Sequence, residues 1–375
     1  MIDFDPGNYL SHGSYKSFQP SFINRQWLLS DMEIQKLLSL ADRHLGRLDM
    51  YSEYIPNIDL FISMHIRKEA TQSSKIEGTQ TNIEDVLLSK EEIDPERRDD
   101  WQEVNNYIEA INAAIDKIKD LPFSSRLIRN THKILLTGVR GYHKMPGEFR
   151  TSQNWIGGAT INDAVFVPPV HTSIQELMSD LEHFAHNDEI FLPELLKIAL
   201  IHYQFETIHP FLDGNGRIGR LIIILYLLQK NILKKPVLYL SDFFERNRLL
   251  YYDNLNRVRT HGDLKQWFKF FLVGVIETAK TGIETFDNIL KLKQDAENKI
   301  RLKSRRAKHL LMLMHHLYQT PLISAAKAME ITGVSQNTSY RLLEELQMLD
   351  IINEVTGTKK NKMYMYQDYI ALFKK

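Results

Sequence analysis

His209-Pro210-Phe211-Leu212-Asp213-Gly214-Asn215-Gly216-Arg217-Ile218-Gly219-Arg220 is the stretch from which the rest of this chain is read. Leu195, Leu196, Ile198, Ala199, Leu200, Ile201, Tyr203 and Phe205 precede it with helical spacing. Pro193-Glu194 suits the start of that helix. Pro210 ends it, because the residue before a proline is pushed out of the α region. Ile218 to Leu228 is almost wholly apolar and reads as a buried helix. Gly214-Asn215-Gly216 therefore falls at a helix N-terminus, where free N–H groups and the positive dipole end favour an anion. Arg217 and Arg220 are three apart, share a helix face and can reach one anion. Asp213 can hold a Mg2+ ion that bridges phosphates. His209 titrates near neutral pH and can take a proton from a hydroxyl. Together these residues point to a nucleotide polyphosphate.

Two familiar phosphate motifs are excluded. Gly214 to Gly219 matches G-x-G-x-x-G, but that fingerprint needs a preceding strand within a βαβ unit, and here a helix precedes it. No Lys-Ser or Lys-Thr pair follows, so the stretch is not a P-loop. A plain glycine-rich helix connection with solvated arginines remains open on these residues alone.

The whole string is more specific than its parts. It resembles the signature of the Fic family, His-Pro-Phe-x-Asp/Glu-Gly-Asn-Gly-Arg-x-x-Arg, at every defining position. Most members of that family transfer AMP from ATP to a protein hydroxyl. The resemblance implies that His209 is the general base for a Ser, Thr or Tyr hydroxyl and that Asp213 binds Mg2+. It implies that Asn215 and the backbone at Gly214 and Gly216 form an anion hole. Arg217 would hold the inner phosphates, Arg220 the γ-phosphate, and Phe211 would be a core anchor.

Ser73-Ser74-Lys75-Ile76-Glu77-Gly78 closes a helix expected over residues 58–77. Gly78 suits the left-handed position just past a helix end. Glu77 faces the unfavourable, negative end of that helix dipole; a solvated carboxylate is the plain alternative. Beside the Fic signature, the stretch resembles the family's inhibitory motif, with Ser73, Glu77 and Gly78 matching. The resemblance implies that Glu77 pairs with Arg220, occupies the γ-phosphate place and misaligns ATP. Thr81-Asn82-Ile83-Glu84 then reads as a capping box for the next helix.

The chain has 375 residues, 43% hydrophobic, with a formal net charge of +0, so its composition favours neither nucleic acid nor membrane surfaces. It has no cysteine, which excludes disulfides and Cys metal sites. No apolar run reaches about 18 residues and no signal-like segment opens the chain, so a cytoplasmic location is the default expectation. Helices are expected over residues 31–48, 101–118 and 124–136, with an exposed loop over 90–100. Residues 154–158 and 164–169 read as a β-hairpin. In the family such a hairpin is a flap that adds a target segment as a strand. Val165, Phe166 and Val167 are the flap candidates, with Phe166 as a clamp on the target. Ser241-Asp242 can cap a helix running to about Arg259. Family members line the adenine pocket with an aromatic from that helix; Tyr251 is the candidate, Tyr252 the alternative, and a core-facing tyrosine the plain reading.

Helices over 264–277 and 280–303 lead to a basic tail. From Lys299 onwards, thirteen Lys and Arg face six Asp and Glu. Helices over 307–318 and 323–329, a third after Ser335, and strands over 351–355 and 362–366 resemble a winged helix-turn-helix. Ser335, Gln336, Asn337, Thr338, Ser339 and Arg341 are then candidate DNA contacts, with Lys359, Lys360 and Lys362 reaching phosphate; protein docking is the alternative. The expected fold is mainly α: an N-terminal helical region over 1–110, a Fic-type helical core with the flap over 111–290, and a linker helix with a winged helix over 291–375. The expected function is Mg2+-dependent AMP transfer from ATP to a protein hydroxyl, of a target or of the chain itself, restrained by Glu77. Removal of AMP, transfer of another phosphate-linked group, or nucleotide sensing by a DNA-binding regulator are the rivals. A homodimer burying the inhibitory helix is compatible with the resemblance.

Overall fold

The computed structural model describes residues 4–55, 57–138, 143–357 and 362–374. The chain opens with an antiparallel pair, β1 (Gly7–Ser11) and β2 (Lys16–Pro20), in the register Tyr9 opposite Phe18. Helices α1 (Met32–Tyr54), α2 (Asp59–Ile76), α3 (Arg98–Lys117) and α4 (Ser125–Leu135) follow. Then come α5 (Ile174–His186), α6 (Glu194–Ile208) and α7 (Asn215–Gln229). The helical body ends with α8 (Ser241–Arg246), α9 (Arg248–His261) and α10 (Leu264–Lys303).

The centre is α6 against α7. Every residue of α6 from Leu195 to Ile208 is buried, as is α7 from Arg217 to Leu227. A helix that is apolar all round has no solvent face and must be wrapped on every side. Around the pair stand α5 against α6, α4 and α3 against α7, α2 against both α3 and α7, and α10 against α6. The loop from His209 to Gly214 therefore emerges from the best-fixed part of the molecule.

Several local expectations are corrected. The capping box lies one residue later than predicted: Asn82 Oδ1 accepts from Asp85 N at 3.0 Å, and Asp85 Oδ2 accepts from Asn82 N at 3.0 Å. It opens only a single 3-10 turn, Asp85–Leu87, rather than a helix. The loop over 90–100 holds two further 3-10 turns, and α3 begins at Arg98. Ser241 does not cap its helix. Its Oγ donates to Glu69 Oε1 at 2.5 Å, and the helix breaks at Asn247, giving α8 and α9. The two helices expected over 264–303 are one, α10, packed against α1.

The tail contains α11 (Ala307–Gln319), β3 (Leu322–Ser324), α12 (Ala325–Thr332), α13 (Gln336–Met348), β4 (Asn353–Glu354), β5 (Met363–Met365) and α14 (Gln367–Ala371). Its sheet has the order β3-β5-β4, both pairs antiparallel. The strand β3, which overlaps the start of the stretch read as helix, pairs with one edge of β5. The tail docks on α2: Phe61 meets Tyr318 and Tyr369 edge-on or tilted, and Ser63 Oγ donates to Gln319 O at 2.7 Å.

Candidate nucleotide site

His209 is the first residue past α6 and adopts a left-handed backbone, φ 51° and ψ 59°. A non-glycine residue is seldom found there, and Pro210 has already barred it from the α region. Arg150, 2% exposed, fixes this turn. Its Nε donates to His209 O at 2.9 Å and its Nη2 to Pro169 O at 2.6 Å, while its backbone N donates to Pro210 O at 2.9 Å. Burial lowers the Arg150 pKa to about 10, which leaves it charged at neutral pH. His132 fixes the other end. Its Nδ1 accepts from Gly147 N at 2.9 Å, so Nε2 carries the proton and donates to Asp213 O at 2.9 Å. The ring also stacks on Phe211 at 3.7 Å. Sequence reasoning missed both residues, since local pattern does not separate a buried brace from an ordinary polar residue.

The surroundings of His209 set its tautomer and its charge. Its Nδ1 lies 3.3 Å from the Glu206 carbonyl oxygen, which can only accept, so Nδ1 holds the proton and Nε2 keeps its lone pair. Burial, reinforced by Arg150 and Arg259, lowers the His209 pKa to about 4 against the opposing pull of the Glu206 carbonyl and Glu77. The ring is therefore neutral at pH 7.

Gly214 has φ 76°, and a Cβ there would lie 3.1 Å from Leu135 Cδ2, so both backbone and space call for glycine. The side chain of Asn215 is engaged within the loop. Its Oδ1 accepts from Phe211 N and its Nδ2 donates to Phe211 O, both at 2.8 Å. The side chain shapes the loop; backbone N–H groups at the start of α7 are left to face an anion. Phe211 is fully buried, as expected of an anchor. Arg217 lies 3.3 Å from Glu103 and 3.6 Å from Asp213. Asp213 is partly exposed, and its Oδ1 accepts from Gly214 N at 2.6 Å. Among the described residues no three His, Asp or Glu cluster for a metal. A lone exposed carboxylate fits Mg2+, which keeps its waters and takes phosphate oxygens as further ligands.

Arg220 is where distant segments meet. Its Nη2 donates to Glu77 Oε1 at 2.7 Å and to Ser73 O at 2.8 Å, and its Nε to Ser73 Oγ at 2.8 Å. Glu77 is the C-cap of α2, and Gly78 follows with φ 107°. Burial opposes ionisation of Glu77, yet Arg220, with help from Arg217 and His209, holds its pKa below the usual value. Burial likewise opposes the charge on Arg220, and Glu77, Tyr251 and Glu206 outweigh it. The carboxylate rests over Gly216: a Cβ there would lie 2.2 Å from Glu77 Oε1.

Tyr251 is the core tyrosine of the plain reading. It is 1% exposed and its hydroxyl donates to His202 Nε2 at 2.9 Å, while His202 Nδ1 donates to Gly219 O at 2.7 Å. Tyr252 is 41% exposed, and its pKa is raised by burial and by the Glu77 charge against the pull of Arg220. The flap is reduced to one bridge, Ile156 opposite Phe166. Gly157 and Gly158 at positive φ and a 3-10 turn at Ile161–Asp163 end the pairing at once. Val165 is 78% exposed, but Phe166 and Val167 are buried. Phe166 lies beneath the Arg259 guanidinium at 3.8 Å and cannot clamp a target. Val167 O accepts from Phe18 N at 2.9 Å, so β2 lines the flap. In the tail, Ser339 is buried with its Oγ donating to Gln336 O at 2.7 Å, which removes it from the candidate DNA contacts. Ser335, Gln336, Asn337 and Arg341 are exposed and Thr338 is half-buried; Lys359 and Lys360 lie outside the described residues.

Two family models match the chain, the Fic/DOC family N-terminal region over residues 35–116 and the Fic/DOC family over residues 122–227. The chain belongs to the Fic/DOC family. Among curated relatives, this Fic/DOC protein is 34% identical over 125 residues to the protein adenylyltransferase Fic of Aedes aegypti, covering 33% of this chain and 22% of that one. It is 28% identical over 204 residues to that of Culex quinquefasciatus, covering 52% and 37%. The chain thus spans well under half the length of these relatives. The fold resembles that of a Fic family protein from Desulfovibrio desulfuricans, with TM-score 0.57 and 19% identity over 91% of this chain and 98% of that one. A Fic domain containing signaling protein from Bacteroides thetaiotaomicron gives TM-score 0.54 and 19% identity, over 68% and 97%.

Proposed function

We propose that this protein transfers AMP from ATP to a Ser, Thr or Tyr hydroxyl of a target protein or of itself, and that Glu77 restrains it. The observation that carries the reading is the Glu77 carboxylate seated on Arg220 over the bare backbone of Gly216. An anion already fills a slot built for one. With Glu77 withdrawn, Arg220 receives the terminal phosphate of ATP and Arg217 the phosphates nearer the sugar. Asp213 would hold Mg2+, which supplies charge neutralisation to the phosphates when bound. The neutral Nε2 of His209 takes the hydroxyl proton as the oxygen bonds to the α-phosphorus; the bond from that phosphorus to the bridging oxygen breaks and pyrophosphate leaves. Positioning and charge stabilisation do most of the work. Tyr252 takes the adenine-lining role. Val165 and the backbone beside it are the surface for an extended target segment.

The tail is read as a winged helix that engages DNA or a protein partner through α13. Its helix, strand, helix, helix and hairpin order supports this, together with the surplus of basic residues. No helix among the described residues is long and apolar enough to cross a membrane.

Intact mass after incubation with ATP and Mg2+ tests the reaction and the restraint together. The expected result is added AMP on the Glu77→Gly chain and little on the unmodified one. ATP binding without any adduct, on the chain or on proteins supplied with it, would move the reading to AMP removal or nucleotide sensing.

A further inference from the structure

Arg220 is flanked by two carboxylates. Gly216, Gly219 and Arg220 lie on one face of α7, at relative positions i, i+3 and i+4. Glu77 Oε1 rests on the first glycine. Glu206, from the last turn of α6, rests on the second: a Cβ at Gly219 would lie 2.1 Å from Glu206 Oε1 and 3.2 Å from Phe205 Cδ1. Glu206 is 8% exposed and its Oε1 has no hydrogen-bond partner among the described residues. An ionised carboxylate left so is costly, and one beside a second anion more so.

We infer that Glu206 takes up a proton when an anionic nucleotide tail occupies the slot that Glu77 fills, so that the neutral carboxyl admits the tail and the ionised one opposes it. This rests on the reading of the slot as the place of the terminal phosphate. The charged groups around Glu206 are Glu77 from the end of α2, Arg220 from α7 and Arg259 from α9; Tyr251 and Tyr252 of α9 respond to its charge, and His209 bonds its backbone carbonyl. Burial, with the Glu77 charge, raises the Glu206 pKa to about 7 against the pull of Arg220 and Arg259. In the resting protein Glu77 itself favours the proton on Glu206. Exchange of Glu77 for a phosphate is then nearly neutral in protons. With Glu77 removed, Arg220 is free to hold Glu206 ionised, and binding of the tail must bring the proton back.

The test is the affinity of Glu77→Gly for Mg2+-ATP between pH 6 and pH 8, with AMP, which lacks the tail, as control. Affinity for ATP should fall by about tenfold over that range, and affinity for AMP should stay flat. The double variant Glu77→Gly with Glu206→Gln should lose the difference between ATP and AMP, because the amide is a permanently neutral isostere. Comparing two variants with one ligand cancels the titration of ATP itself. Calorimetry of Glu77→Gly in two buffers of different ionisation enthalpy should count protons taken up with ATP and none with AMP, without recourse to the second variant. An ATP slope that persists in the double variant, or no slope and no proton uptake in Glu77→Gly, overturns the inference while leaving the site assignment standing. Failure to bind either nucleotide at any pH overturns both.

Discussion

Glu77 Oε1 lies 2.7 Å from Arg220 Nη2 and stands where a side chain on Gly216 would begin. Residues 143 positions apart thus share one anion slot. Gly216→Ala should separate the two functions of that slot. Its methyl group would unseat Glu77, whose end is flexible, and would also crowd Arg220 Nη1 at 2.9 Å. Glu77→Gly should bind ATP more tightly than the unmodified chain, whereas Gly216→Ala should bind it more weakly than Glu77→Gly. Titration calorimetry of the three proteins checks the order.

His209→Ala should lower AMP transfer by about 100-fold or more, the range expected for loss of a general base, while nucleotide affinity changes little. Because the His209 pKa lies near 4 in the resting form, the base is already deprotonated throughout the neutral range. Glu77 raises that value only against the larger effect of burial, and at saturating ATP a phosphate stands in its place. The turnover of Glu77→Gly at saturating ATP should therefore fall only below about pH 5. An acid limb centred near 6.5 would contradict the assignment.

Stability should decline with acid for a related reason. His65 and His202 have pKa values lowered to about 3, and His132 and His209 to about 4, in each case chiefly by burial. The unfolded chain binds protons on these groups from about pH 6.5 downward while the folded one does not, so stability rises with pH between about 4 and 6.5. Each histidine should add about 1–2 kcal/mol between pH 5 and pH 7.5, offset in part by Glu206 and Glu69, whose pKa values burial raises to about 7 and about 6, so denaturant unfolding should show a net gain with pH. Coincident midpoints at the two pH values would count against it.

Arg150→Met should lower stability by about 3 kcal/mol, because it strips donors from the buried carbonyls of His209, Ile208 and Pro169. The turn that aims His209 should loosen with it. Urea unfolding measures the first effect. The second should appear as a lower turnover of Glu77→Gly in the double variant at a temperature where both remain folded.

Tyr251→Phe and Tyr252→Ala should behave oppositely. The first leaves His202 Nε2 without its donor and should cost about 1 kcal/mol of stability, with nucleotide affinity nearly unchanged. The second should weaken ATP and AMP alike and leave stability within about 0.5 kcal/mol. Thermal unfolding and nucleotide titration of both variants separate the two roles.

The sequence by itself determined the parts of this protein that are local. Helically spaced apolar residues marked α6, an almost wholly apolar run marked α7 as buried, Pro210 ended α6 at His209, and glycines marked the loop between them. The Fic signature and the Ser73-Glu77-Gly78 motif lie in contiguous residues and were legible for that reason. Tertiary structure decided what depends on packing between distant elements. Tyr251 and Tyr252 are adjacent in sequence, and only the packing of α9 buried one, against Phe244 of α8, Trp267 of α10 and His202 of α6, and left the other exposed. Phe166 turned inward because Arg259, 93 positions away, covers it. Arg150, His132 and Glu206 carry no pattern of their own; each matters through a partner supplied by another segment. Spacing along a chain fixes which residues share a helix face, but a buried polar side chain is defined by what the rest of the fold brings to it.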